Sequence, residues 1–194
     1  MSSDNGRIEL AILQPDALPA QVHKVATDAV QGGYAGIVVS PVYVSRVATM
    51  IRGSGATVTA AVAFPHGTSK PTLKAIEATS CIKDGADAIL VVPHLPHIIR
   101  GDFDATRAEL LEIVRAARAT RRDVQIHVLI EQIGDEQLIA TACRAIRESG
   151  CDGIMTGGEF ASVRRHAESL IVFAMVNDLT AAPLENADRV VVFV

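Results

Sequence analysis

The sequence predicts one (β/α)8 TIM barrel over residues 1–194. Three observations predict it. Short apolar runs alternate with longer segments of helical period, the order of a parallel sheet whose crossovers are helices. The apolar runs, such as Ile37-Val38-Val39, are continuous rather than alternating, as strands buried on both faces read. Eight such runs occur without a GxGxxG or P-loop, which favours a closed barrel over an open doubly wound sheet.

Each element follows in order. Arg7 to Leu13 reads as the first strand, with a turn at Pro15-Asp16. Leu18 to Gln31 reads as a helix that stops at Gly32-Gly33. Ile37-Val38-Val39 is the second strand, and a helix follows from Val42 to Arg52. Val58 to Phe64 is the third strand, then the loop Pro65-His66-Gly67 and a helix from Ser69 to Lys83. Ala88 to Val92 is the fourth. The helix from Asp102 to Thr120 carries Leu110, Leu111, Val114 and Ala117 on one face, with Asp102 as N-cap. Val124 to Ile130 is the fifth strand, followed by a helix from Asp135 to Ser149. Ile154 begins the sixth strand, and Ala161 to Glu168 is a short helix. Leu170 to Met175 and Arg189 to Val194 are the last two strands. Gly85-Ala86-Asp87 and Gly150-Cys151-Asp152 share a form in which glycine ends a helix and a strand follows. The sequence stops with the eighth strand, so the barrel is expected to lack its last outer helix. That would leave Val190-Val191-Val192-Phe193-Val194 with an uncovered apolar flank, the mark of a homo-oligomer.

Composition narrows the function. Apolar residues are 49%, charged residues 21% and the net charge -4, a globular balance without the basic excess of nucleic-acid binders. Aromatics are 4% with no Trp, which argues against base-stacking platforms. No apolar run approaches the roughly 20 residues of a membrane span. Met1 to Gly6 is polar, unlike a signal peptide. Cys81, Cys143 and Cys151 show no CxxC spacing and read as buried thiols of a reducing cytoplasm.

Several pieces, taken in order, resemble deoxyribose-phosphate aldolases. They are Leu13-Gln14-Pro15-Asp16-Ala17, Val39-Ser40-Pro41-Val42-Tyr43-Val44, Phe64-Pro65-His66-Gly67 with Lys74-Ala75-Ile76-Glu77-Ala78, and Lys83-Asp84-Gly85-Ala86-Asp87. Gly101-Asp102-Phe103-Asp104, Val128-Leu129-Ile130-Glu131 and the sixth-strand stretch Gly150 to Gly158 complete the set. The resemblance implies an aldolase-type barrel. It also implies where the chemistry departs. The family's imine-forming lysine falls on Met155, its second lysine near Ala174 or Met175, and its relay aspartate on Leu90. A first-strand aspartate falls on Glu9 and a fifth-strand lysine on His127, while Glu131 matches. The turns that hold the substrate phosphate fall on Val176-Asn177-Asp178 and the chain end.

In barrels the chemistry sits at the C-terminal strand ends. That rule collects Glu9, Gln14, Ser40, His66, Lys70, His94, His97, His127, Glu131, Thr156 and Glu159. Glu131, His94, His97 and Glu9 are the expected catalytic groups. Lys70, His127, Met155, Thr156 and Ser40 are expected to contact substrate. The imidazoles of His94-Leu95-Pro96-His97 suit acid–base work near neutrality. They could instead hold a metal with Glu131, or be solvated on a surface loop; no metal or cofactor is assigned.

Three readings of function follow. The first is an aldolase-fold lyase that works by acid–base chemistry on a small carbonyl-containing metabolite other than a sugar phosphate. The second is an inactive barrel serving as a binding or assembly module. The third is a carbon–carbon lyase with Lys70 as displaced nucleophile.

Overall fold

A computed structural model describes residues 5–131, 133–178 and 186–194. The polar start of the chain at residues 1–4, and 179–185 in the connection before the eighth strand, lie outside the described residues. The strands are β1 Ile8–Ile12, β2 Gly36–Val39, β3 Thr57–Val62, β4 Ala88–Val91, β5 Gln125–Leu129, β6 Gly153–Thr156, β7 Ile171–Val176 and β8 Arg189–Phe193. They pair in sequence order, all parallel, and β8 returns to β1 to close the barrel. The helices are α1 Pro19–Gly32, α2 Val44–Met50, α3 Pro71–Lys83, α4 Leu95–Ile99, α5 Phe103–Thr120, α6 Glu136–Glu148 and α7 Phe160–His166.

Local chemistry explains the boundaries. Proline begins α1 and α3, where its missing N–H costs nothing. The Asp102 carboxylate caps α5 by accepting from the Ala105 N–H at 3.0 Å, as expected. Gly85 and Gly150 take φ of 106° and 84°, the left-handed stop that their shared form predicts. The expected second helix divides into a 3-10 turn at Pro41–Tyr43 and then α2. The sequence predicts no helix between Val92 and Asp102, yet Pro96 lies in the first turn of α4 and starts a short helix there.

Two apolar cores result. One lies between strands and helices and includes Ile37, Ile89, Leu110, Ile126, Ile146 and Ile154, all inaccessible. The other fills the barrel with Ala11, Val38, Ala61, Leu90, Met155, Phe173 and Val191. The flank expected to be bare is covered within the chain. Val190 and Val192 are 0% and 5% exposed, and only Val194, at 47%, is open. No helix among the described residues is long and apolar enough to cross a membrane.

Candidate active site at the barrel mouth

The loops after β3 and β4 stand against each other at the C-terminal end of the barrel. Ala63 turns the chain at φ 56° and Gly67 at φ 64°. A Cβ at Gly67 would lie 2.2 Å from the Pro93 carbonyl oxygen, so only glycine permits this approach. A buried ion pair locks the arrangement. Lys74 Nζ donates to the Gly67 carbonyl at 2.6 Å, the Val92 carbonyl at 2.8 Å and Glu109 Oε1 at 2.6 Å. Glu109 in turn accepts the His94 backbone N–H at 3.2 Å. Three donor–acceptor contacts satisfy an ammonium fully removed from water, as burial demands.

Between these loops and the ends of β5 and β7 lies a cavity of ≈ 440 Å³. Phe64, Pro65, His66, Val92, Pro93, Leu95, Leu129, Glu131 and Met175 form its wall. Glu131, just past β5, is held from one side. Its Oε1 accepts the Gly157 backbone N–H and the Thr156 hydroxyl, the latter at 3.2 Å. Thr156 is itself fully buried, so it supports Glu131 and does not face the cavity. Met155 is also fully buried. It pairs in register with Leu129 and Phe173, beneath the cavity. Leu129 and Met175 belong to the cavity wall, and Met155 does not.

Both histidines of the His94–His97 cluster are absent from the cavity wall, although their neighbours Pro93 and Leu95 belong to it. Their rings meet edge to face at 4.6 Å, and His97 Nδ1 lies 3.7 Å from Glu109 Oε2. This corrects their expected place at the mouth. The cause is α4, whose turn directs His97 back toward α5. His66, by contrast, is exposed and lines the cavity. Lys70 is exposed just before α3 and lies off the wall, as does the half-buried Ser40. Gln14 Nε2 donates to the Val194 carbonyl at 2.7 Å, and Glu159 Oε1 accepts the Gly134 N–H at 2.6 Å. None of the chain's four lysines (Lys24, Lys70, Lys74 and Lys83) belongs to the wall.

Glu9 and His127 are a second correction. The sequence predicts both at the mouth, but they line a separate cavity of ≈ 230 Å³ at the opposite end, with Thr59, Gln125 and Arg189. Strand geometry is the reason. His127 shares a face with Glu131 but precedes it by four residues, roughly 13 Å of strand. Glu9 Oε2 accepts the Thr59 hydroxyl at 3.2 Å, and Oε1 lies 3.7 Å from Arg189. Burial holds the Glu9 carboxyl above its ordinary pKa, against the opposing effect of Arg189 and Thr59. Burial and then the Arg189 charge push His127 down to about 4. Its ring packs on Phe173 at 4.5 Å, and its Nδ1 has no partner among the described residues. Those residues hold no group of three or more His, Cys, Asp or Glu side chains arranged for a metal ion.

Known proteins share both fold and sequence with this chain. No protein-family profile matches it. A solved aldolase described as QR15 superposes with a TM-score of 0.87 at 24% identity, covering 99% of this chain and 92% of that one. The tetrameric deoxyribose-phosphate aldolase of Aeropyrum pernix superposes with a TM-score of 0.86 at 23% identity, covering 96% of this chain and 85% of that one. These two likenesses establish the fold. A deoxyribose-phosphate aldolase from Streptococcus suis is 30% identical over 160 residues, 81% of this chain and 70% of that protein. The chain therefore belongs to the deoxyribose-phosphate aldolase family, a family of lyases.

Proposed function

We propose that the protein is an imine-free lyase that acts at the barrel mouth on a small carbonyl compound without a phosphate. The observation that carries this reading is the set of ionisable groups that the described residues place on the cavity wall: Glu131 and His66, and no lysine. An imine needs an amine beside the substrate carbonyl. Met155 stands at the family's lysine position and has none. Lys70 lies outside the wall, and Lys74 is consumed by three hydrogen bonds. The reading with Lys70 as nucleophile is therefore the weakest of the three.

Proton transfer falls to Glu131 and His66. In a retro-aldol step one of them takes the proton of the β-hydroxyl. That oxygen forms a new carbonyl as the carbon–carbon bond breaks, and the electron pair passes to the enolate of the departing fragment. The other group protonates that fragment. General acid–base catalysis of this kind contributes ~10²–10⁴-fold. Phosphate recognition calls for cationic side chains or convergent backbone amides, and the wall carries neither lysine nor arginine.

The test is a panel of non-phosphorylated β-hydroxy aldehydes and ketones, with released aldehyde read by a coupled reductase. Glu131→Gln should lower turnover at least about 100-fold. Its melting temperature should stay within about 2 °C, because glutamine keeps an oxygen for Gly157 and Thr156. Equal turnover in the variant would remove Glu131 from the chemistry. Steady cleavage of deoxyribose 5-phosphate would remove the claim about phosphate. A second reading, a barrel that binds without turnover, is favoured by the closed apolar layer of Leu90, Met155 and Phe173 beneath the cavity. A stable wild-type protein inert across the panel would put that reading first. Self-association is part of the proposal, supported by the tetrameric state named for the Aeropyrum pernix aldolase. Light scattering at micromolar concentration tests it, and a clean monomer would refute it.

A further inference from the structure

The carboxylate of Glu131 has one oxygen engaged and one free. Oε1 accepts from the Gly157 N–H and the Thr156 hydroxyl. Oε2 accepts no hydrogen bond, and the group forms no ion pair, among the described residues. Glu109, behind the mouth, has the Lys74 ammonium as its partner, whereas Glu131 has no cationic partner among the described residues. The wall around Glu131 is mainly apolar, with Phe64, Val92, Leu129 and Met175. A negative charge beside apolar surface, without a resident cation, is electrostatically incomplete. It repels anions and attracts cations, and the low local dielectric strengthens both effects. An aromatic ring on the same wall, Phe64, also suits a cation.

Resting on the reading of the mouth cavity as the ligand site, we infer that its ligand is a small organic cation: a primary or secondary ammonium on an apolar body, held by Glu131 Oε2. The remainder of the wall then packs on hydrocarbon, with His66 as the second polar group beside the ligand.

The experiment uses the full chain at pH 7 and three probes of one shape: butylammonium, 1-butanol and butyrate. Binding is read by NMR shift changes and by calorimetry, in wild type and in Glu131→Gln. The expected result is butylammonium at least tenfold tighter than butanol, with butyrate weakest. The cation preference should shrink as salt rises and vanish in Glu131→Gln. Equal binding of cation and alcohol at the cavity resonances would overturn the cation inference and leave the cavity as ligand site. Tighter binding of butyrate would do the same. Failure of all three probes to shift resonances of Phe64, Leu129 or Met175 would overturn the cavity reading itself. The wild-type ratio and its salt dependence decide the matter even if the variant fails to fold.

Discussion

Lys74 Nζ and Glu109 Oε1 lie 2.6 Å apart with side chains 0% and 2% exposed, and together they tie the two loops that wall the barrel mouth. The pair joins α3 to α5 and reaches the backbone of both loops. The shape of the cavity thus depends on a contact behind it.

Lys74→Met should be strongly destabilising, because it strands the Glu109 charge in the interior. The expected loss is about 3–5 kcal/mol by urea unfolding. Adding Glu109→Gln should recover part of it, since the stranded charge is removed while an acceptor for the His94 N–H remains. Strictly additive losses in the double variant would show that the two groups are not coupled.

Met155→Lys should not restore imine chemistry. The new amine would enter an apolar layer formed by Leu90, Leu129 and Phe173. Burial disfavours the charged form by up to several kcal/mol, so the melting temperature should fall. Cleavage of deoxyribose 5-phosphate by this variant would show that the lysine alone was missing.

The polar cavity at the other barrel end predicts two opposite pH dependences. His127 falls from 6.5 to about 4 on folding. Between those values the unfolded chain binds a proton that the folded chain refuses, so stability falls as pH drops from 6.5 toward 4. At about 1.4 kcal/mol per pH unit the full effect is about 3 kcal/mol. His127→Leu should flatten this acid limb of the melting curve. Glu9 is raised, so the folded chain keeps its proton longer. Its contribution declines as pH rises above the ordinary carboxylate range, and Glu9→Gln should gain on the wild type at pH 8 while matching it at pH 4. Parallel pH profiles for wild type and both variants would contradict these assignments.

The barrel was legible in the sequence because strand burial, helix period and the stops at Gly85 and Gly150 are local signals. The Asp102 cap was legible for the same reason. Helix α4 was not, since five residues carry too little periodicity to separate from a loop, and its turn decides where His94 and His97 face. Glu131 could be located from its place at a strand end. His127 and Glu9 were misplaced because strand membership alone does not say how deep along the barrel a side chain lies. The role of Lys74 was invisible: its partner is 35 residues away, and nothing near either residue announces the pairing.

Borohydride trapping asks whether any amine of this protein forms an imine with substrate. The protein is incubated with deoxyribose 5-phosphate or an aliphatic aldehyde, reduced, and weighed intact by mass spectrometry. The expected result is an unmodified mass, with no saturable adduct, because no lysine lines the mouth. A saturable single adduct mapped to Lys70, or to any other lysine, would contradict it.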